Sequence, residues 1–152
     1  MPELDRVEVL VTVTRALAED LAAGEPPEAR DIPEEATAGG AIVCRTAGML
    51  AGLTVAKEAF ARVGVRLRPL VAEGSRAAPG QHVAEVGGSL RAMLAARDTA
   101  LRFLERLSAV ASGVRVAADG DPLEAYASSF WPGPAVSGEN GPRFELEVEV
   151  TP

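Results

Sequence analysis

An α+β fold, with a small, mostly antiparallel sheet flanked by helices, is what this 152-residue sequence predicts, and three patterns carry the prediction. Through and just ahead of "MLAARDTALRFLERLSAV" (93–110), Leu90, Leu94, Leu101 and Leu104 return to one stripe at about 100° per residue, the period of a long helix. In "FELEVEV" (144–150), Phe144, Leu146, Val148 and Val150 alternate with three glutamates, the period of a strand with one face toward a core and the other toward water. Gly- and Pro-rich breaks separate these segments, and no internal repeat joins them.

The elements follow in order. Residues 4–21, "LDRVEVLVTVTRALAEDL", place Leu4, Val7, Leu10, Val11, Leu17 and Leu21 on one helical face, with Asp5 as cap and Gly24 as stop. An acidic, Pro-rich loop covers 24–40, "AIVCR" (41–45) reads as a strand, and "TAGMLAG" turns into a helix over 54–63. That helix is expected to point Val55, Phe60 and Val63 inward and to carry a Glu58–Arg62 pair outside. Val65 and Leu67 begin an extended unit with turns at Glu73–Gly74 and Pro79–Gly80, followed by the short strand "HVAEV", ended by Gly87–Gly88. The long helix spans 89–111, between Ser89 as N-cap and Gly113 beyond its end. After Gly113 a Gly/Pro-rich stretch (119–143) holds a short helical piece (122–129) and half of the aromatic residues, Tyr126, Phe130 and Trp131, and the terminal strand follows. Residues 1–113 therefore read as the domain, and 114–152 as an extension packing on it.

Charge and composition exclude several functions. A formal charge of −7 opposes nucleic-acid binding, which needs a basic surface. The single cysteine, Cys44, forms no intramolecular disulfide and reads as a small buried hydrophobe in a cytoplasmic protein. His82, the only histidine, leaves too few ligands for a zinc site. Glu19–Asp20 and Glu34–Glu35 read as solvated charges rather than metal ligands, and "DGDP" (119–122) as a turn. No secretory leader and no membrane span are expected, so neither membrane nor nucleic acid is a partner.

Two charges on the long helix stand out. Arg97 falls in the middle of the leucine stripe, and Asp98 lies on a flank shared with Arg91 and Arg102, where an i,i+4 or longer-range ion pair is expected.

Four blocks, "ALAEDLAAG" (16–24), "AGMLAGLTVAKEAF" (47–60), "VAEGSRAAPGQHVAEVGG" (71–88) and "DTALRFLERLSAVAS" (98–112), occur in an order and at a spacing that resemble the N-terminal domain of quinolinate phosphoribosyltransferase, the carboxylating nicotinate-nucleotide pyrophosphorylase. The resemblance implies an α/β sandwich whose small sheet is related to the barrel-sandwich fold of biotinyl domains. A biotin or acyl carrier role is not implied, because the only lysine, Lys57, falls in a predicted helix. It also implies that the long helix carries a Glu-Arg pair just before Thr-Ala-Leu, with the arginine reaching the active site of a neighbouring subunit to hold anionic substrate. The corresponding residues here are Arg97 and Asp98, so a carboxylate occupies the arginine position, and a shift of one residue turns Arg97 about 100° round the helix. Arg97, Asp98 and Arg102 are thus the substrate-binding positions by resemblance.

The family's catalytic α/β barrel is expected to be absent, since the residues after Ser112 are too few for one and too rich in Pro and Gly. No Gly-rich phosphate loop is seen either. The reading is therefore a stand-alone, non-catalytic homologue acting in assembly or binding, without cofactor or metal, as a homodimer or with a separately encoded barrel protein. Alternatives are the small subunit of a split phosphoribosyltransferase of NAD biosynthesis, and a small-molecule binder on the same scaffold. In the assembly reading, Arg97 reaches a carboxylate at the rim of the dimer or partner contact, and Tyr126, Phe130 and Trp131 fold back with the terminal strand over apolar surface left open.

Overall fold

Helix α1 (Arg6–Ala22) opens the computed structural model, which describes residues 5–24, 26–114, 121–131, 133–134 and 141–150. Asp5 caps α1 as expected, its carboxylate accepting from the Val7 amide at 2.9 Å. The buried face of α1 differs from the predicted one. Val9, Val13 and Leu17, at i, i+4 and i+8, enter the core, whereas Val7, Val11 and Leu21 are 66%, 52% and 42% exposed. α1 carries two apolar stripes, and docking against its neighbours selects the one that shares its side with Asp20. Asp20 accepts hydrogen bonds from the Thr99 hydroxyl and from Arg102, so it is a buried-edge anchor rather than the solvated charge expected. Leu4 lies outside the described residues.

The predicted 24–40 loop holds a 3₁₀ turn at Pro27–Ala29, with Ala29 fully buried, and then enters strand β1 (Thr37–Thr46) earlier than expected. A two-residue strand, β2 (Gly48–Met49), follows where only a turn was expected, and then helix α2 (Leu53–Ala61). α2 buries Leu53, Val55, Ala56, Ala59 and Phe60, while Val63 is half-buried beyond its end. The expected Glu58–Arg62 pair is not among the ion pairs of the described residues; these residues are linked through the backbone, the Arg62 amide donating to the Glu58 carbonyl.

Strands β3 (Arg66–Pro69), β4 (Arg76–Ala77) and β5 (His82–Ser89) complete the extended unit, with Gly74 and Gly80 at positive φ in its two predicted turns. β5 does not stop at the Gly87–Gly88 pair. It continues to Ser89 because the two glycines lie opposite Gly39 and Ala38 of β1, with backbones in close register. Ser89 then passes directly into helix α3 (Leu90–Ala111), its hydroxyl accepting from the Ala92 amide at 3.2 Å. α3 ends as predicted: Gly113 takes positive φ, its amide donates to Val110, and the Val114 amide donates to Ala109. Helix α4 (Pro122–Ser128) and strand β6 (Arg143–Val150) close the described chain.

The main sheet is antiparallel throughout, in the order β3–β5–β1–β6, with β2 and β4 as a separate ribbon. Its inner face presents Leu67, Ala84, Val86, Ile42, Cys44 and Phe144 to a core completed by α3, α2 and α1. Cys44 is wholly buried, and burial pushes its thiol pKa up. The outer face shows glutamates and arginines to water, as the alternation of β6 predicts. No helix among the described residues is long and apolar enough to cross a membrane.

β6 lies beside β1 with Phe144 opposite Cys44, and α4 packs on α3. A Cβ on Gly74 would run into the Phe130 ring, and one on Gly113 into the Trp131 indole, so the aromatic segment does fold back over the turn and over the end of α3.

Candidate functional site

α3 is the hub of the polar chemistry, because its 22 residues touch every other layer of the fold. Its middle carries the three positions singled out by sequence, Arg97, Asp98 and Arg102. Arg97 sends Nη2 to Glu28 Oε1 at 2.6 Å and Nε to Asp98 Oδ1 at 3.2 Å. The carboxylate that Arg97 reaches therefore belongs to its own chain, on the 3₁₀ turn. Burial opposes the charge on this guanidinium, but the two carboxylates outweigh it and raise its pKa. The same hydrogen bond from Arg97 holds the Glu28 carboxyl below its ordinary value.

Asp98 meets neither Arg91 nor Arg102, contrary to expectation. Arg91 lies 3.8 Å from Glu34, and Arg102 turns to Asp20 of α1 at 3.3 Å. The i,i+4 pair fails because α1 and the 24–40 loop supply carboxylates closer to both arginines. Asp98 is left 67% exposed with Arg97 as its ion-pair partner. The structure thus brings Arg97 and Asp98 together and directs Arg102 elsewhere.

The second half of α3 carries groups that the sequence reading missed. Ser108 and Ser112, one helical turn apart, face the backbone of β2 and of the residues just after it. Ser108 Oγ accepts from the Ala51 amide at 3.0 Å and donates to the Ala51 carbonyl at 3.0 Å; Ser112 Oγ accepts from the Met49 amide at 2.8 Å. Two hydroxyls do for this segment what a neighbouring strand would do. Two serines at i,i+4 on an apolar helix face are the sequence signal that could have marked them. Glu105 accepts from the Phe144 amide at 2.9 Å, tying α3 to β6. Arg106 pairs with Asp121 and lies 3.1 Å from Glu124 of α4, whose carboxyl pKa is raised by burial. Asp121 also caps α4, which gives "DGDP" its structural purpose as a helix start; Asp119 lies outside the described residues.

Glu73 forms a second polar centre. Gly52 heads α2 without a side chain to cap it, and Glu73 reaches across to accept from the Leu53 amide at 2.7 Å and the Gly52 amide at 3.2 Å. The Tyr126 hydroxyl donates to the same carboxylate at 3.1 Å. Burial pushes the Glu73 pKa up despite these donors, and it also raises that of Tyr126, with the Glu73 charge adding to the shift. A bare glycine before a helix is the only local signal for such a cap, and spacing does not reveal its acceptor 21 residues away.

An open cleft of about 730 Å³ lies elsewhere, between α2 and the β3 edge, lined by Lys57, Gly64, Arg66, Arg68, Glu85 and Gly87 among others. Arg68 pairs with Glu85 at 2.6 Å. Arg97, Asp98 and Arg102 are not part of its lining.

This architecture is shared with solved proteins. The crystal structure of NadC from Streptococcus pyogenes superposes with a TM-score of 0.75 at 25% identity, covering 88% of this chain and 55% of that one. The nicotinate-nucleotide pyrophosphorylase of Francisella tularensis (TM-score 0.75, 19% identity, 87% and 54% covered) and that of Ehrlichia chaffeensis (0.69, 16%, 88% and 55%) share the fold. The chain spans about half the length of these proteins. The matched share of this chain exceeds the stretch ending at Gly113, so part of the extension belongs to the common fold. The family model for the quinolinate phosphoribosyl transferase N-terminal domain matches residues 11–108, well over half of the sequence, and the chain belongs to that family.

Proposed function

We propose that this chain serves its family in assembly or binding and carries out no phosphoribosyl transfer itself. The observation that supports this most is the pairing of Arg97. Its guanidinium is held by Glu28 at 2.6 Å and by Asp98 at 3.2 Å within the same chain. At the helix position where the family resemblance calls for a substrate-holding arginine stands Asp98, an exposed carboxylate. A carboxylate there repels the anionic groups of a dicarboxylate or a phosphorylated sugar instead of attracting them. Arg102 is likewise engaged by Asp20. The role left to α3 is to hold the layers of the domain in register.

Assembly has a surface available. Val7, Val11 and Leu21 form an exposed apolar stripe along α1, and such a stripe is characteristic of a covered contact face. A second copy of the chain, or a protein carrying the catalytic barrel, is the partner this reading gives it.

The test mixes the purified chain with quinolinate, phosphoribosyl pyrophosphate and Mg²⁺, and measures its mass in solution by light scattering. No nicotinate mononucleotide above the protein-free control, together with a dimer or a co-complex with a barrel-bearing transferase, is expected. Product formation, or a lone monomer that ignores such a transferase, overturns the proposal. A second reading, a small-molecule binder, is favoured by Lys57 and Arg66 in the 730 Å³ cleft. Native mass spectrometry of the chain from its host, showing a retained anion, would select it instead.

A further inference from the structure

The two edges of the main sheet are unlike. β3 is four residues long and ends at Pro69. The Leu70 amide donates to the Val83 carbonyl at 2.9 Å, so Leu70 turns its backbone toward β5 and Pro69 turns its own away. At that point the outer edge offers a ring where another strand would need an N–H, and this edge is closed to strand addition. β6, at the opposite edge, has eight residues without proline or lysine, and no described strand lies on its far side.

The two faces of β6 define what fits there. On the outer face stand Glu145, Glu147 and Glu149. Arg45 reaches the first at 2.9 Å and the second at 3.4 Å, and among the described residues Glu149 has no ion-pair partner. On the inner face apolar cover runs out along the strand: Phe144 is buried, Leu146 and Val148 are half-buried, and Val150 is 59% exposed. The edge is therefore acidic on one side and increasingly apolar on the other; at its start the Phe144 amide is held by Glu105, and from Glu145 to Val150 no described strand pairs with its outer side.

A second copy is a poor occupant. Any β6–β6 pairing that puts apolar sides together also sets glutamates opposite glutamates, and like charges directly across a strand pair are destabilising. Pairing of β6 with β3 of another copy meets Pro69. We propose that the free edge of β6 docks an extended segment of another protein in which apolar residues alternate with Lys or Arg, added as a fifth strand. Main-chain bonds give the affinity, the basic residues meet Glu145, Glu147 and Glu149, and the apolar residues cover Val148 and Val150. The net charge of −7 favours the approach of such a segment. The inference deepens the assembly reading and rests on it.

The test titrates the full chain, isotope-labelled, with three fluorescent octapeptides: alternating Val and Lys, the same composition in two blocks, and alternating Val and Glu. Expected is saturable binding of the alternating Val/Lys peptide, about tenfold tighter than the blocked one, weakened by salt, with amide shifts and slowed exchange confined to 143–150. The Val/Glu peptide is expected not to bind. Glu149→Lys should weaken the Val/Lys peptide several-fold at unchanged Tm. Equal binding of the two Val/Lys peptides, perturbation centred on β3 or α1, or no binding overturns the inference. If the peptides fail while light scattering shows a dimer or co-complex, the edge is wrong and the assembly reading stands.

Discussion

Arg97 and Glu73 show how one kind of contact gives opposite responses to acid. Glu28, paired with Arg97 at the surface, is held below the ordinary carboxylate value of 4.5. The stability it contributes is fully present above that value and is lost as pH falls through the lowered folded pKa. Glu73 is shifted the other way by burial, so its share is largest at or below 4.5 and declines as pH rises through the raised folded pKa. Side-chain carboxyl NMR titration should place Glu28 below and Glu73 above the ordinary range. Arg97→Ala should return Glu28 toward 4.5, and Asp98→Ala should leave Glu28 displaced, because Asp98 is an exposed second partner of the guanidinium. A Glu28 titration indifferent to Arg97→Ala would show that the ion pair does not form in solution.

Among the elements, α3 is distinguished by two hydroxyls at its C-terminal end, Ser108 inside the helix and Ser112 as its C-cap. Ser108 satisfies both polar groups of Ala51 in a fully buried setting, and Ser112 repeats the arrangement at Met49. Ser108→Ala leaves a buried amide and carbonyl without their partner, which should cost about 2 kcal/mol in chemical denaturation. Because the two serines hold nearby residues of one short segment, Met49 and Ala51, the loss in Ser108→Ala/Ser112→Ala should differ from the sum of the single losses. Additive losses would mean that β2 is held mainly by β4 and by packing.

For the whole molecule, the weight falls on the C-terminal extension. β6 covers one side of β1, Phe144 seals the core beside Cys44, and Leu123 and Ala127 of α4 are buried. Gly40 of β1 passes so close to β6 that a Cβ would run into the Glu147 carbonyl oxygen. Truncation after Gly113 should therefore leave β1 as an exposed apolar edge, giving aggregation or loss of the cooperative thermal transition, while the full chain should melt in one step. A soluble, cooperatively folding truncated monomer would show that the first 113 residues hold together unaided.

The sequence by itself determined the parts whose signal is local. The alternation of 144–150, the period of 93–110, the caps at Asp5, Ser89 and Gly113 and the two glycine turns stand where they were read, because periodicity and backbone dihedral demands act over a few residues. Four sequence blocks were also enough to point to the family. Tertiary structure decided the rest. Which of two apolar stripes α1 buries, which carboxylate Arg97 takes from a loop 69 residues away, and how Glu73 caps α2 depend on surfaces that meet only after the chain has folded. A helix period gives the direction of a side chain but not its neighbour, and an ion pair goes to the carboxylate that folding brings nearest.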